Sequence, residues 1–210
     1  MPEPTVGGGW QDGRMPQPAS KTQYLTATSI DGFIADRHNS LDWLFGAEAG
    51  TSAEVQAART QRFTSFFAGV GAMAMGATTY EWVLAHEHLL EEPDKWRDYY
   101  GDVPSWVFTH RQLPAIPGAA IRFVNGDVLA VHREMTAAAA GRNIWIVGGG
   151  DLVGQFADHG LLDDILLSVA PVTLGAGAPL LPRRLESAAL TLTECTNDGT
   201  FAFLTYAIAK

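Results

Sequence analysis

The run from Asn143 to Pro182 narrows the possible folds more than any other stretch. Asn143-Ile144-Trp145-Ile146-Val147 is β-rich and apolar on both faces, as in a strand buried in a parallel sheet. Gly148-Gly149-Gly150-Asp151 follows, and then Leu152, Val153, Phe156, Leu161 and Leu162 keep helical spacing, with Gly160 near the stop. A second apolar run, Ile165 to Val172, leads to Gly175-Ala176-Gly177-Ala178-Pro179. The order is strand, glycine turn, helix, strand. Residues without Cβ let the backbone turn sharply and let a ligand approach it closely. The free N–H groups and dipole of the following helix favour an anion, typically a phosphate. The G-x-G-x-x-G spacing is not met, because Val153 stands where the last glycine belongs. A conventional Rossmann dinucleotide domain is therefore not expected, and a tight strand-to-helix connection is the plain structural alternative.

A chain of 210 residues suits one domain with an appendage. Residues 1–22 are rich in Gly, Pro and Gln and read as a flexible leader, leaving residues 23–210 as a single domain. No basic n-region precedes an apolar stretch at the start, and no apolar run reaches the ~20 residues of a membrane span. The single cysteine, Cys195, excludes an intrachain disulfide, fits a reducing, cytoplasmic setting, and reads as a small packing residue. A net charge of −9 without a basic cluster argues against nucleic acid or an anionic membrane as partner. His86-Glu87-His88 would point its imidazoles apart on a helix, so no metal is expected, and residues 86–104 read as a solvated surface segment.

Tyr24 to Ser29 is the first strand candidate, Asp31-Gly32 a turn, and Phe33-Ile34-Ala35 a further extended run. Trp43 lies in an apolar patch, Leu41 to Phe45, and suits either the core or a pocket wall. Ser52 caps a helix candidate reaching Phe67. Ala72 to Met75 is a short buried strand, and Gly76-Ala77-Thr78-Thr79 leads from it into a helix. Thr78 or Thr79 can cap that helix or meet a phosphate. Trp106 to Phe108 is a strand ending in Thr109-His110-Arg111, where open α/β sheets bind ligands. Arg111 is either a phosphate contact or a surface arginine. Ile121 to Val124 is a strand and Val128 to Ala140 a helix ended by Gly141. Leu190 to Cys195 and Phe201 to Ala209 form a hairpin around Asn197-Asp198-Gly199. This order predicts an α/β fold with a mostly parallel central sheet, helices on both faces and a C-terminal antiparallel hairpin.

Four motifs in this order resemble the dihydrofolate-reductase-like superfamily, and within it the reductase domain of the bifunctional riboflavin-biosynthesis deaminase–reductase and its stand-alone relatives. They are Ser29-Ile30-Asp31-Gly32-Phe33-Ile34-Ala35, Met75-Gly76-Ala77-Thr78-Thr79-Tyr80-Glu81, Ile146-Val147-Gly148-Gly149-Gly150 and Ala170-Pro171-Val172-Thr173-Leu174-Gly175. The resemblance spans about residues 24 to 209. It implies a dihydrofolate-reductase-like three-layer sandwich with a nicotinamide cofactor, NADP with NAD as the alternative, across the C-terminal edge of the sheet. Val147, Gly148, Gly149, Gly150, Asp151 and Leu152 would face the pyrophosphate, with Gly76, Thr78 and Thr79 at the other phosphate-side junction. Thr109, His110 and Arg111 would surround the adenosine end, and Ala27 and Ile34 would lie by the nicotinamide. Relatives often carry Arg at the Ala77 position, where it favours the 2′-phosphate of NADP. The riboflavin-pathway reductases commonly carry Glu at the Gly148 position.

These readings lead to an NAD(P)H-dependent oxidoreductase that transfers a hydride to a small polar heterocycle or a similar C=N/C=O substrate. Asp31 and Glu48 are the candidate proton donors, and the alternative role for Asp31 is to bond backbone amides near its turn. The alternatives are the ribosylaminouracil phosphate reductase of riboflavin synthesis and a non-catalytic nucleotide-cofactor-binding protein. The resemblance also implies a homodimer.

Overall fold

The apolar runs pair into one eight-stranded sheet in the computed structural model, which describes residues 20–210. In chain order the first elements are β1 (Thr22–Thr28), β2 (Phe33–Asp36), α1 (Asp42–Glu48) and α2 (Ala53–Ala68). Next come β3 (Val70–Gly76), α3 (Ala77–His86), α4 (Asp94–Tyr100), β4 (Ser105–Phe108) and β5 (Ile121–Val124). The chain continues through α5 (Val128–Ala139), β6 (Asn143–Gly148), α6 (Gly150–Asp158) and β7 (Asp164–Val169). It ends with β8 (Gly177–Pro179), a turn of 3-10 helix at Ser187–Ala189, β9 (Leu190–Asn197) and β10 (Ala202–Ile208). The strand order is β5-β4-β3-β6-β1-β7-β10-β9, with β2 and β8 forming a small antiparallel sheet of their own. The first six strands of the large sheet run parallel, and the β7–β10 and β10–β9 pairings are antiparallel, as the sequence predicts.

The apolar runs are continuous because the central strands are covered on both faces. Along β3, Ala72 and Ala74 join Tyr24, Ile144, Ile146, Met135 and Phe156 in the core beneath α5 and α6. The alternate residues Met73 and Met75 join Trp145, Trp96, Tyr80 and Leu89 in the core on the opposite face. Side chains that alternate across a pleated strand thus fill two cores at once.

Several expectations are corrected. Leu41 to Phe45, read as a patch, falls largely within α1. Residues 86–104 are not simply a solvated surface: they hold α4, and Leu89 and Trp96 are fully buried. Neither Thr78 nor Thr79 caps α3, whose N-cap is Gly76, so both threonines lie inside its first turn. Cys195 is exposed on β9 rather than packed. The leader read over residues 1–22 ends too late. Ser20 Oγ donates to the Arg142 carbonyl, the Lys21 N–H donates to Asn143 Oδ1, Lys21 Nζ pairs with Asp164, and β1 begins at Thr22. Residues 1–19 of that segment lie outside the described residues.

Candidate functional site

Order in the sheet places the site. From β3 the chain moves outward through β4 to β5 at the edge, then returns to β6 on the other side of β3. A crevice opens at such a switch point, outside the C-terminal ends of the strands. Two helices start beside it, α3 directly after β3 and α6 directly after β6. Neither first turn is capped by a side chain, whereas Ser52 caps α2 and Asp127 caps α5. Two sets of unsatisfied helix N–H groups therefore meet at one crevice.

The crevice holds a cavity of about 700 Å³, a size that suits a small-molecule or cofactor site. Gly76, Gly148 and Gly149 form its floor between the two helix starts. A Cβ on Gly76 would lie 3.8 Å from the Gly149 backbone nitrogen, one on Gly148 3.6 Å from Thr79 Oγ1, and one on Gly149 3.9 Å from Ile34 Cδ1. A side chain there would take up cavity space without displacing protein. Gly148 also has a φ of +144°, which L side chains rarely adopt. Gly150 differs: a Cβ would run into the carbonyl oxygens of Pro179 and Leu180, so this glycine lets α6 meet the end of β8. Tyr24 Oη donates to the Leu180 carbonyl, and the Leu180 N–H donates to the Gly32 carbonyl, fixing that segment over the crevice.

Most of the residues singled out from sequence come together here. Thr78 and Thr79 line the α3 side, and Val147, Asp151 and Leu152 the α6 side. Thr109 and His110 line the end beside β4 and β5, and Ile34 the end beneath β2. Ala27 and Gly150 do not line the cavity, although Thr26, the neighbour of Ala27, does. Arg111 lies just past the lining turn, where its guanidinium makes a two-pronged pair with Glu81 at 2.8 and 2.7 Å.

Three candidates stand elsewhere. Asp31 accepts hydrogen bonds from Ser29 Oγ at 2.6 Å, the Leu174 N–H at 3.1 Å and the Gly175 N–H at 2.7 Å. These bonds, that of Ser29 above all, hold its carboxyl below the usual carboxylate range, so it stays ionised and anchored. Its amide partners lie on a distant segment and not in its own turn. Trp43 packs against Ala170, Phe201 and Phe203, and Glu48 ends α1; neither lines the cavity.

Other lining residues escaped the sequence reading. Trp82, Val83, Tyr100 and Leu41 form an apolar wall, and Asn125 and Gly126 follow β5 directly. The strand-end rule that marks Thr109 marks Asn125 as well, because both lie just beyond parallel strands. No comparable signal marks Trp82, whose place depends on how α3 lies on the sheet. Burial pushes the Tyr100 phenol up to about 12, so it stays protonated at neutral pH. Among the described residues, no Lys or Arg lines the cavity, and Asp151 is its one carboxylate. Asp151 is balanced by Arg183, which also pairs with Asp158. Anion binding would rest on N–H groups and hydroxyls. The glycine floor, the two uncapped helix starts and the apolar wall fit a phosphate-containing cofactor with a flat ring.

Residues 21–203 match the family model of the RibD C-terminal domain. YwjB of Bacillus subtilis, an uncharacterised protein, is 29% identical over 160 residues, covering 76% of this chain and 82% of its own. A Shewanella sp. PV-4 protein named for riboflavin biosynthesis superposes with a TM-score of 0.70 at 21% identity, over 90% of this chain and 99% of its own. The Thermotoga maritima diaminohydroxyphosphoribosylaminopyrimidine deaminase/5-amino-6-(5-phosphoribosylamino)uracil reductase superposes with a TM-score of 0.58 at 15% identity, over 91% of this chain and 57% of its own. With the sheet order, the switch-point crevice and the matched span in agreement, the chain belongs to the RibD C-terminal domain family.

Proposed function

We propose that the protein is a nicotinamide-dependent reductase acting on a small unphosphorylated heterocycle or a similar C=N/C=O compound. The observation that carries this reading is the convergence of two uncapped helix N-termini on one glycine-floored cavity at the sheet's switch point. Family membership supports the reductase class.

A bound nicotinamide cofactor supplies the hydride. The chain's own residues bind, orient and exclude water. The first N–H groups of α3 and α6 and the hydroxyls of Thr78 and Thr79 hold the pyrophosphate. Thr109, His110 and Asn125 would hold the adenosine end, and Ile34 and Thr26 would bound the nicotinamide end. Trp82, Val83, Tyr100 and Leu41 enclose the substrate beside it, orienting a flat ring and keeping the site dry. Asp151, at the start of α6, is the one carboxylate among the described lining residues. A substrate phosphate would find no Lys or Arg on the described walls, which favours an unphosphorylated ring over the ribosylaminouracil phosphate.

The test is turnover: purified protein, NADH or NADPH, and a panel of pteridines, pyrimidines and small imines, read at 340 nm. Oxidation that depends on one of these compounds is expected. Saturable nucleotide binding with no oxidation across the panel would favour the non-catalytic binding protein.

A further inference from the structure

We propose that Glu81 makes this site select NADH over NADPH by holding Arg111 away from the adenosine end. The inference rests on the dinucleotide reading of the cavity and adds to it which dinucleotide fits.

The two cofactors differ by one phosphate on the adenosine ribose. A site for the phosphorylated form needs a cation there, and a site for the free diol needs none. Among the described residues, no Lys or Arg lines the cavity, and His110 is the one imidazole on its wall. Two arginines stand near its rim, and both are committed to carboxylates. Arg183 bonds Asp158 at 2.8 Å and Asp151 at 3.3 Å, outside α6. Arg111 is the one on the adenosine side. Its N–H donates to Thr109 Oγ1 at 2.9 Å, and Thr109 lines the cavity, so the arginine starts from the right turn. Glu81 stands one helical turn beyond Ala77, on the outside of α3, and takes both prongs of the guanidinium. Bidentate pairing fixes the orientation of the fork as well as its charge.

A phosphate reaching Arg111 would have to displace that carboxylate and would then lie beside it, dianion against anion. The pair is partly exposed, so water and salt weaken this repulsion without removing it. A ribose diol meets neither obstacle. Thr109 Oγ1 and the Asn125 amide offer it neutral partners on the cavity wall. Ala77 adds no charge at the first turn of α3.

The experiment is nicotinamide-fluorescence titration at low ionic strength of wild-type protein, Glu81→Gln and Arg111→Ala, each with NADH and NADPH, with melting curves to confirm folding. Wild type is expected to bind NADH at least fivefold more tightly than NADPH. Glu81→Gln is expected to tighten NADPH at least fivefold and to change NADH less than twofold. Arg111→Ala is expected to change NADPH affinity less than twofold. A wild type that prefers NADPH would overturn the inference, as would an unchanged ratio in Glu81→Gln or a tenfold loss of NADPH in Arg111→Ala. All three leave the dinucleotide site standing. Failure of wild type to bind either nucleotide would remove that site and the inference together.

Discussion

Asp31 shows how a residue in a suggestive place can serve the fold. Its carboxylate joins the turn after β1 to the backbone of Leu174 and Gly175, across more than half of the chain length. Asp31→Asn is expected to lower Tm at pH 7 and to leave nucleotide affinity within twofold. The folded-state pKa is depressed, so the stabilising contribution is complete above the usual carboxylate range and fades as pH falls through the folded value. The difference in Tm between wild type and variant should therefore shrink as pH falls below the usual carboxylate range. A fall in kcat with no change in Tm would instead return Asp31 to the catalytic site. The tryptophans teach the same lesson. Trp43 and Trp82 look equivalent in sequence, yet one packs on Phe201 and Phe203 while the other walls the cavity. Only the packing of α1 and α3 separates them, and no local pattern encodes that packing.

At the scale of elements, α2 has none of its sixteen residues fully buried, but Phe66 and Phe67 pack edge-on against Trp145 of the core, and contacts at its rim add to this docking. Arg59 pairs with Asp198 at 2.6 Å and lies 4.3 Å from the Phe201 ring centroid. Arg62 repeats the arrangement with Glu194 and the Phe203 ring. Two arginines one turn apart thus clasp the β9–β10 hairpin. The Arg59 bond holds the Asp198 carboxyl down at about 2, helped by the N–H groups of Phe201 and Thr200. A depressed carboxylate adds stability above the unfolded-state value near 3.8, and this is lost as pH falls towards 2. Asp198→Asn is expected to cost about 2 kcal/mol at pH 7, and the cost should fade between pH 4 and pH 2 in denaturant titrations. A pH-independent cost would assign the loss to packing.

Elements with a strong local signature were legible. Ile121–Val124 and the C-terminal hairpin read directly as strands, and Ser52 caps α2 as its sequence suggests. The glycine junctions at 76 and 148–150 also stand out, because few residues other than glycine suit a sharp turn beside a ligand. By contrast, α4 was hidden. Its surface is charged, and only Trp96 is fully buried among its seven residues, so no apolar stripe announces a helix. The β2–β8 sheet was hidden for another reason: Gly177-Ala178-Pro179 has turn composition and becomes a strand only by pairing with Phe33 to Asp36.

The whole molecule carries a net charge of −9, yet the proposed cofactor carries phosphates. Topology resolves the tension. The reversal of strand order between β3 and β6 sets the starts of α3 and α6 beside one crevice, so backbone dipoles replace side-chain cations. Gly76, between the two helix starts, tests this most directly. Its φ of −80° and ψ of 164° suit a β-branched residue, and the space beside it belongs to the cavity. The measurement is the dissociation constant of NADH and NADPH for wild type and Gly76→Val, compared at equal Tm. Saturable binding by wild type and at least tenfold weaker binding by Gly76→Val are predicted. No binding by wild type, or equal binding by the variant, would contradict the placement of the cofactor at this switch point.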